Sequence, residues 1–505
     1  MILNHEKNQP DILEVIADLS NDEVFTPPRI ANQVLDLLPS SVWSNPNLRF
    51  LDPGAKTGIF LREITRRLMN GLSSSFPSEQ ERLSHILEKM VWGLSITELT
   101  AHMTRRTLYC SKDASSSHSV VQFSKASGNV WYERVEHTFV NARCKECNAS
   151  SDLERAGRDN YAYSFIHSDG REKYGKELPV KFDVIVGNPP YQMDGGAGGT
   201  SASPLYNVFV EQAKALNPDY LAMIIPSRWM AGGRGLDDFR KNMLSDQKVT
   251  HLVDFPNTKD IFPGVDIKGG VCYFLWERDH KGDALMTIVR GEEKFGPAQR
   301  NLGEFDVLVR DARAVDILRR VRKLSEPTIE GMVSGNTPFG LATNFRAYKT
   351  EETGTPDELK LYLFEGGKRS IGYLKSIDVS KNTHLVDVWK VFLPAAYGAG
   401  ETVPHQILGQ SIIGEPMSVC TQTYLTFGPF DSEGEAQNAQ RYLDTRFARF
   451  LVSLRKISQD AQASVYSWVP KQDWSVEWTD ELLLNKYNIE PRDWEYIKSM
   501  VKEMN

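Results

Sequence analysis

The sequence lacks any segment that would carry it into or across a membrane. Its first residues contain no basic stretch followed by an apolar block, which a secretory signal requires. No apolar run in the chain approaches the roughly 18 residues of a membrane-spanning helix. We therefore expect a cytoplasmic protein with no membrane partner.

Cysteine and positive charge are also in short supply. Five cysteines among 505 residues, an odd number, do not suggest a disulfide framework, and a reducing compartment fits them better. The net charge is −7, so a nucleic acid would have to be bound by a local basic surface. Internal repeats are absent, and the one low-complexity patch is DGGAGGTSASP at residues 194–204.

Alternating strands and helices occupy roughly the first 300 residues. LRFLDPGAKTGIFLREITRRLMNGL predicts a strand ending near Asp52, a glycine turn and an amphipathic helix that stops at Gly71. VWGLSITELTAHMTRRTLY repeats the plan, with Thr97 as the N-cap. Further strands are predicted at 182–186, 220–225, 250–255 and 271–277, and helices at 206–216 and 236–244. The pattern predicts a doubly wound α/β domain, whose last two strands form an antiparallel pair at the sheet edge.

Two segments interrupt this alternation. Residues 110–165 are polar and contain Cys144-x-x-Cys147, which indicates an insertion. From residue 325 onward the pattern becomes mixed. We therefore predict an α/β domain at 1–109 and 166–324, an inserted segment at 110–165, and a mixed α+β domain at 325–505.

The stretch VIVGNPPYQ ends a buried strand abruptly. Ligands of open α/β sheets bind beyond the carboxyl ends of the strands, which is where Asn188, Pro189, Pro190 and Tyr191 would lie. The prolines would fix the backbone so that a carbonyl and the Asn188 amide oxygen present two acceptors to one NH₂ group. Tyr191 offers a flat face for a planar base. A simple turn is the alternative, because Asn and Pro are common in turns.

Four motifs occur in an order that resembles the gamma-class adenine-specific DNA methyltransferases of restriction-modification systems. They are VFTPPRIANQVLDLLP with Phe25, Thr26 and Pro27, then DPGAKTG, then NPPY, then the segment from residue 325. The resemblance spans most of the chain and implies a Rossmann-like methyltransferase sheet followed by a target-recognition domain. It also implies transfer of a methyl group from S-adenosylmethionine to the exocyclic amine of an adenine in double-stranded DNA.

The resemblance further implies where the methyl donor binds. The cofactor-binding candidates are Phe25, Thr26, Pro27, Asp52, Pro53, Gly54, Gly58, Glu98 and Asp169. Gly54 and Gly58 would let the backbone approach the methionine part of the donor, and Asp52 would lie near its ammonium group. The family's loop is closer to Asp-Pro-x-Cys-Gly-Thr-Gly, so the Ala-Lys pair at 55–56 leaves the detailed contacts open.

Two of these candidates have alternatives. The family's acidic ribose ligand is replaced here by Ser95, so Glu98 is the substitute candidate, although a first-turn glutamate also stabilises a helix dipole. Asp169 in FIHSDG matches the motif whose carboxylate meets the adenine of the donor. A solvated loop aspartate is its alternative.

Catalysis in this family implies that the target adenine is flipped out of the duplex. The base would stack on Tyr191, and its amine would be held by the Asn188 side chain and the Pro189 carbonyl. The GGAGG stretch at residues 195–199 would be a mobile lid that orders around the base, or a mere connector. Phe262 is the candidate for a second aromatic that packs the base, with a core phenylalanine as the alternative.

The insertion carries a candidate zinc site. Cys144-x-x-Cys147 has the spacing of a zinc knuckle, and Cys110 and His137 would complete a Cys₃His set. His118 and His167 compete for the fourth position. Scattered reduced thiols are the alternative. A zinc ion here would be structural, because a small polar insertion has little core of its own.

A basic stretch in the C-terminal domain is the candidate DNA-contacting surface. QRYLDTRFARFLVSLRK predicts one helix with five basic residues against the single acid Asp444. The basic residues are Arg441, Arg446, Arg449, Arg455 and Lys456. The first three are the candidates for phosphate contacts, and a solvated helix face is the alternative.

Other functions remain open from the sequence. Asn-Pro-Pro-Tyr sites also methylate glutamine amides of translation release factors, and RNA methylation or a catalytically inactive DNA-binding module are further alternatives. No paired-carboxylate and lysine nuclease pattern is evident, so a restriction nuclease would be a separate chain. One catalytic motif and one reader predict a monomer that recognises a non-palindromic site.

Overall fold

A computed structural model of the protein describes residues 25–151, 162–193, 203–398 and 403–504, apart from residues 177, 180, 234, 266, 366 and 457. The chain divides into two compact units, Met1–Leu308 and Val309–Asn505. The second unit therefore begins earlier than residue 325. The reason is the helix Ala312–Lys323, whose apolar face is buried and which packs against the helix Pro491–Met500.

The first unit is built from short strands and helices in alternation. Its strands are β1 (Phe50–Ala55), β2 (Val91–Ser95), β3 (Val130–Trp131), β4 (Phe139–Val140), β5 (Arg143–Cys144), β6 (Val184–Gly187), β7 (Gln192–Met193), β8 (Ser203–Pro204), β9 (Tyr220–Pro226), β10 (Val249–Phe255), β11 (Val271–Glu277), β12 (Ala284–Arg290) and β13 (Glu293–Arg300). Its helices are α1 (Pro28–Leu35), α2 (Ile59–Gly71), α3 (Glu79–Lys89), α4 (Glu98–Tyr109), α5 (Ser168–Tyr174), α6 (Tyr206–Ala215) and α7 (Asp237–Ser245).

Nine of these strands form one mixed sheet in the order β13-β12-β10-β11-β9-β6-β1-β2-β3. Neighbours from β9 to β3 are parallel, whereas β11 runs antiparallel to both β9 and β10. The predicted α/β class is confirmed, and so are the six strands predicted from the apolar runs. The carboxyl ends of β1, β2, β6 and β9 consequently meet at one edge of the sheet.

The helices cover both faces of this sheet. Successive side chains of each buried strand point to opposite faces, so both faces are apolar and both are covered. Val184 and Val186 of β6 belong to the apolar cluster that contains α1 and α2. Ile185, between them, belongs to the cluster that contains α6 and α7. Strands that are apolar on both sides are typical of a parallel sheet buried between two helical layers.

Two sequence expectations about the sheet were wrong. The antiparallel pair β10 and β11 exists, but it does not form the edge, because β12 pairs in parallel with β10 and β13 lies beyond it. Segment 110–165 is not wholly an insertion, because β3 pairs with β2 and extends the sheet. Val130 is fully buried there, and two residues are too short a strand to be evident from periodicity.

The second unit is mixed α+β, as predicted. Its strands are β14 (Glu358–Glu365), β15 (Lys368–Lys375), β16 (Trp389–Pro394), β17 (Ile412–Gly414), β18 (Ser418–Cys420) and β19 (Tyr424–Phe430). They form two sheets, in the orders β15-β14-β18 and β17-β16-β19. Its helices are α8 (Ala312–Lys323), α9 (Glu433–Asp444), α10 (Arg446–Ser453), α11 (Asp480–Lys486) and α12 (Pro491–Met500). Among the residues that the structure describes, no helix has the length and apolarity needed to cross a membrane.

Candidate active site and metal cluster

The two central motifs of the sequence lie side by side at the carboxyl edge of the sheet. A Cβ atom added to Gly54 would lie 3.7 Å from the carbonyl oxygen of Asn188. A Cβ added to Gly187 would lie 2.9 Å from Oδ1 of Asp52, which is too close for any side chain. Glycine at position 187 therefore lets the loop after β1 approach the end of β6, whereas a Cβ at position 54 would make only an ordinary contact.

The loop after β1 keeps a tight turn despite its unusual sequence. Gly58, with φ +76°, precedes α2, and such a φ favours glycine. From α4, the hydroxyl of Thr104 donates to the Lys56 carbonyl at 3.2 Å, and that of Thr107 donates to the Thr57 carbonyl at 2.7 Å. Helix α4 thus holds the loop from one side.

Asp52 is a buried carboxyl group at the centre of this loop. Its Oδ1 accepts a hydrogen bond from the Gly54 amide at 3.1 Å. Burial raises the pKa of Asp52 to about 7, against the opposing effects of that hydrogen bond and of the Lys56 charge. A buried carboxylate at this position would gain free energy from a bound cation.

Asn188 is joined to the entry motif. Its Nδ2 donates a hydrogen bond to the hydroxyl oxygen of Thr26 at 3.0 Å, and the two side chains are 4% and 5% exposed. Pro28 starts α1 directly after this segment, at the helix position that tolerates proline. Asn32 of α1 donates to Glu63 of α2 at 3.0 Å. The Phe-Thr-Pro-Pro motif is therefore anchored to α2, the helix that follows the loop after β1.

Tyr191 packs against the apolar cluster of the first unit with its ring partly buried. Burial raises the pKa of its hydroxyl well above the usual value. The amide of Leu205 donates to the Tyr191 carbonyl at 3.1 Å, and β7 pairs with β8 immediately beyond it. We call β7 and β8 the catalytic hairpin. The glycine-rich residues 194–202 between them lie outside the described residues, so the lid prediction is untested.

Phe262 is a core residue in this structure. It is 3% exposed and belongs to the apolar cluster against which Tyr191 packs. The base-packing role suggested for it conflicts with this burial, and the core alternative accounts for its position. The apolar sequence around a single phenylalanine does not distinguish a base-packing role from burial in the core.

The two acidic cofactor candidates are both exposed. Glu98 lies in the first turn of α4, 3.9 Å from His102. Asp169 lies in the first turn of α5, 3.9 Å from Lys173. Ser95, at the end of β2, is instead buried, and its hydroxyl has no hydrogen-bond partner among the described residues. Contacts of Glu98 and Asp169 with the donor stay predictions.

Two cysteines and two histidines form a cluster near the catalytic hairpin. We call this group of four residues the metal cluster. Its members are His137, Cys144, Cys147 and His167. One ligand atom from each lies within 4.8 Å of all the others. Nδ1 of His137 is 3.4 Å from Sγ of Cys147, and Nε2 of His167 is 3.6 Å from Sγ of Cys144.

This composition corrects the predicted Cys₃His set. Cys110 is exposed and caps the C-terminus of α4 with φ +60°, so it does not take part. His167, a competing ligand in the sequence, takes its place, because the chain returns to the cluster just before α5. His118 is exposed. Three of the four ligands, His137, Cys144 and Cys147, belong to the set predicted from the sequence. His167 was not included in that set, since it is 20 residues after Cys147.

The hydrogen bonding of His167 and its neutral form suit a metal ligand, whereas the thiol of Cys147 would have to release its proton on binding a metal. Nδ1 of His167 donates to the Tyr163 carbonyl at 2.8 Å, which directs Nε2 toward the cysteines. Burial lowers the pKa of His167 and so favours the neutral, ligating imidazole. Burial also raises the pKa of the Cys147 thiol to about 12. These four side chains could hold one metal ion.

The predicted basic helix is wrong. The chain forms α9 and α10, separated at Thr445, whose hydroxyl caps α10 by accepting from the Ala448 amide at 3.2 Å. Arg449 is fully buried and donates to the carbonyls of Asp444 at 3.1 Å and Gln406 at 2.8 Å. Burial lowers its pKa to about 10. Arg449 therefore stabilises the fold and cannot reach a phosphate.

The other basic residues of this stretch are also engaged within the unit. Arg441 pairs with Glu477 at 2.8 Å, and Arg446 lies 3.7 Å from Glu503. Arg455 stacks over Trp468, and Lys456 donates to the carbonyls of residues 397 and 398. Arg441 is the most accessible of the three candidates, with about half of its side chain exposed.

Comparisons with known proteins agree with this site. Residues 89–262 match the family model of the Eco57I restriction-modification methylase, a range that includes β2 and the Asn-Pro-Pro-Tyr motif. A protein of Mycoplasma pneumoniae described as an "Uncharacterized adenine-specific methylase" is 37% identical over 313 residues, which cover 57% of this chain and 74% of that protein.

Solved structures of restriction-modification enzymes are similar at lower levels. The DrdV–DNA complex is 10% identical with a TM-score of 0.49, covering 88% of this chain and 56% of that one. The type IIL enzyme MmeI in complex with DNA is 12% identical with a TM-score of 0.45, covering 87% and 64%. The type ISP enzyme LlaBIII bound to DNA is 10% identical with a TM-score of 0.45, covering 80% and 33%. The chain thus spans between a third and two thirds of the length of these enzymes, and at such TM-scores the likeness carries no further conclusion.

The sequence identity with the Mycoplasma methylase extends over most of that protein, and the matched family model encloses the Asn188 site at the end of β6. The chain belongs to the Eco57I family of adenine-specific DNA methyltransferases of restriction-modification systems.

Proposed function

We propose that the protein flips an adenine out of double-stranded DNA and methylates its exocyclic amine within the site at Asn188. The observation that carries this proposal is the hydrogen bond from Asn188 Nδ2 to the Thr26 hydroxyl. Because the amide nitrogen is directed at Thr26, the amide oxygen is the atom that would accept from an incoming NH₂ group. The Pro189 carbonyl is the second acceptor. A base stacked on Tyr191 would present its amine to both.

Positioning and electrostatics would account for catalysis at this site. Two acceptors on the amine would draw its hydrogens into their plane and expose the nitrogen lone pair. The nitrogen would then form a bond to the methyl carbon while the carbon–sulfur bond breaks and its electron pair stays on sulfur. A proton leaves the nitrogen through the Asn188 oxygen or the Pro189 carbonyl toward solvent. No strong base is required, because the donor sulfur is a good leaving group.

The residues beside Asn188 suit S-adenosylmethionine, which would supply a methyl group on a positively charged sulfur. Asp52 would hold the ammonium group of the donor, since a buried carboxylate gains free energy from a neighbouring cation. The backbone of Gly54, which no side chain obstructs, would lie along the methionine part. The buried hydroxyl of Ser95 is suited to a ribose hydroxyl. Thr26 would orient the Asn188 side chain through their hydrogen bond, in addition to any contact of its own with the donor.

We propose that the second unit is the target-recognition domain. With Arg449 in the core, a cavity of about 430 Å³ is the better candidate for contact with bases. Its lining includes Phe364, Arg369, Gln406 and Gln410. Arginine and glutamine side chains read guanine and adenine edges, respectively. A single reader of this kind favours a monomer on a non-palindromic site.

We further propose that the metal cluster holds a structural zinc ion. Zinc–sulfur bonds of about 2.3 Å and zinc–nitrogen bonds of about 2.0 Å give donor separations of roughly 3.3–3.8 Å in a tetrahedron. The two sulfur–nitrogen distances of 3.4 and 3.6 Å fall in this range. All four positions would be filled by protein, which is typical of a structural site and not of a catalytic one.

Label transfer from radioactive S-adenosylmethionine to unmodified genomic DNA tests the central proposal. Asn188→Ala should reduce transfer by at least a hundredfold, about the loss seen when a transition-state hydrogen bond is removed, while calorimetry should find donor affinity unchanged. Retention of more than a few per cent of the rate would remove Asn188 from the reaction. Strand-resolved modified-base sequencing should find one methylated adenine on one strand; symmetric marks within a palindrome would contradict the single-reader proposal.

A further inference from the structure

The residue next to the metal cluster contacts the segment that follows the Asn-Pro-Pro-Tyr motif. Asn148, directly after Cys147, donates from Nδ2 to the hydroxyl oxygen of Ser203 at 3.0 Å. Ser203 lies in β8 and pairs with Met193 of β7, so it belongs to the catalytic hairpin. This hydrogen bond joins positions 55 residues apart in the sequence.

The position of Asn148 depends on the turn that brings the two thiols together. Its amide donates to the Cys144 carbonyl at 3.0 Å, and the Cys144 amide donates to the Ala149 carbonyl at 2.8 Å. Asn148 adopts φ +60°, which asparagine tolerates better than most residues. A metal ion bound by both cysteines would fix this turn and, with it, the direction of the Asn148 side chain.

A second link runs from the histidine side of the metal cluster. Tyr163, whose carbonyl accepts from the His167 ring, packs edge-on against Phe209 of α6 at 5.6 Å between ring centroids. Phe165 contacts the same ring at 5.5 Å. Helix α6 begins at Tyr206, immediately after the catalytic hairpin. Cys144 and Cys147 share one apolar cluster with Leu205 and Phe209.

The catalytic hairpin is in turn connected to Tyr191. Strand β7 starts at the next residue, and the Leu205 amide donates to the Tyr191 carbonyl at 3.1 Å. The position of Tyr191 is therefore constrained through β7 on one side and through Leu205 on the other. The loop after β1, which is the proposed donor site, is held instead by Thr104 and Thr107 of α4. None of the links described above involves this loop.

We infer that the metal cluster positions the catalytic hairpin, so that metal occupancy controls transfer to the target base while leaving binding of the methyl donor unchanged. The inference rests on the zinc centre and on the base-stacking role of Tyr191 proposed above. Asn148 is a positioning residue in this arrangement: it acts through Ser203 and touches neither donor nor DNA base.

Two substitutions at Asn148 separate the hydrogen bond from the backbone conformation. Asn148→Gly removes the side chain but adopts φ +60° without strain. Asn148→Asp keeps an oxygen that can accept from the Ser203 hydroxyl and tolerates the same conformation. Full-length variants would be compared for zinc content, for donor affinity by calorimetry, and for kcat and KM of methyl transfer to unmodified genomic DNA. Ser203→Ala removes the partner from the other side.

With one zinc per chain in each variant, Asn148→Gly and Ser203→Ala should lower kcat roughly five- to tenfold, which corresponds to the loss of one hydrogen bond. Donor affinity should stay within about twofold. Asn148→Asp should recover most of the rate. Wild-type kcat in Asn148→Gly and Ser203→Ala, with zinc retained, would overturn the inference. A wild-type protein without zinc would instead refute the zinc centre, and inactivity of every variant including wild type would refute the proposed reaction.

Discussion

Asn188 and Thr26 are 162 positions apart in the sequence and are joined by a buried hydrogen bond of 3.0 Å, from the amide of Asn188 to the hydroxyl oxygen of Thr26. The entry motif therefore contacts Asn188, the proposed catalytic residue, directly. A donor-binding role alone, which the resemblance implies for Thr26, does not account for this contact. In the proposed reaction, the Thr26 hydroxyl would set which end of the Asn188 amide faces the target amine.

Replacing Thr26 by valine tests that role. Thr26→Val keeps the shape of the side chain but removes the acceptor, so the Asn188 amide loses its fixed orientation. We expect kcat to fall about tenfold or more, with donor affinity within about twofold of wild type. Thr26→Ser should retain most of the rate. Equal losses of donor affinity and rate would make Thr26 a donor ligand instead.

Donor binding should depend on pH through Asp52. The carboxyl group has a pKa of about 7 in the free protein, and only its ionised form attracts the donor ammonium. Affinity should therefore be constant above pH 7 and fall up to about tenfold per pH unit below it. Calorimetry between pH 5.5 and 8.5, values chosen as about one and a half units on either side of that pKa, would measure this. A wild-type profile as flat as that of Asp52→Asn would contradict the assignment.

The same group links pH to stability of the free protein. Asp52 keeps its proton up to about pH 7 when folded, but loses it near pH 3.9 when unfolded. Between these values the folded state binds more protons, so this contribution to stability declines as pH rises toward 7 and then stays at its lower value. Asp52→Asn should consequently be more stable than wild type at pH 8, measured by urea unfolding, and the difference should shrink at pH 5. A difference that grew on acidification would contradict this sign.

Metal analysis should find about one zinc ion per chain. Cys144→Ser and His167→Ala should each lose it, whereas Cys110→Ser should retain it, because Cys110 is an exposed helix cap. Removal of the ion by a chelator should lower the thermal stability of the first unit, since binding energy at a structural site is folding energy. Loss of zinc in Cys110→Ser with retention in His167→Ala would restore the ligand set expected from the sequence.

Arg449 should matter for stability and not for contact with phosphates. Arg449→Ala leaves the carbonyls of Asp444 and Gln406 without their donor in the core, and we expect a loss of about 3–5 kcal/mol in the unfolding free energy of the second unit. Arg441→Ala, on the surface, should cost at most about 1 kcal/mol. Denaturant unfolding compares the two. An Arg449→Ala protein of wild-type stability but weaker DNA affinity would return this residue to the DNA surface.

Much of the catalytic unit was determined by local sequence. Apolar runs identify β1, β2 and β6, because a buried parallel strand needs an uninterrupted apolar stretch. The Thr97 cap was equally local, since its side chain bonds the Thr100 amide three residues away. Because ligands of open α/β sheets bind beyond the carboxyl ends of the strands, the sequence also places Asn188 at the edge where a ligand would bind.

Tertiary structure decided which distant residues meet. Whether Cys110 or His167 completes the metal cluster depends on where β3 and α5 direct the chain, and ligand spacing does not encode that path. Arg449 looks like a surface residue in the sequence because helical periodicity says nothing about the break at Thr445, which turns α10 inward. The contact of Thr26 with Asn188 likewise exists only because α1 packs on α2. Local propensity acts over a few residues, whereas burial and hydrogen bonding in the core are settled by segments that the fold brings together from far apart in the chain.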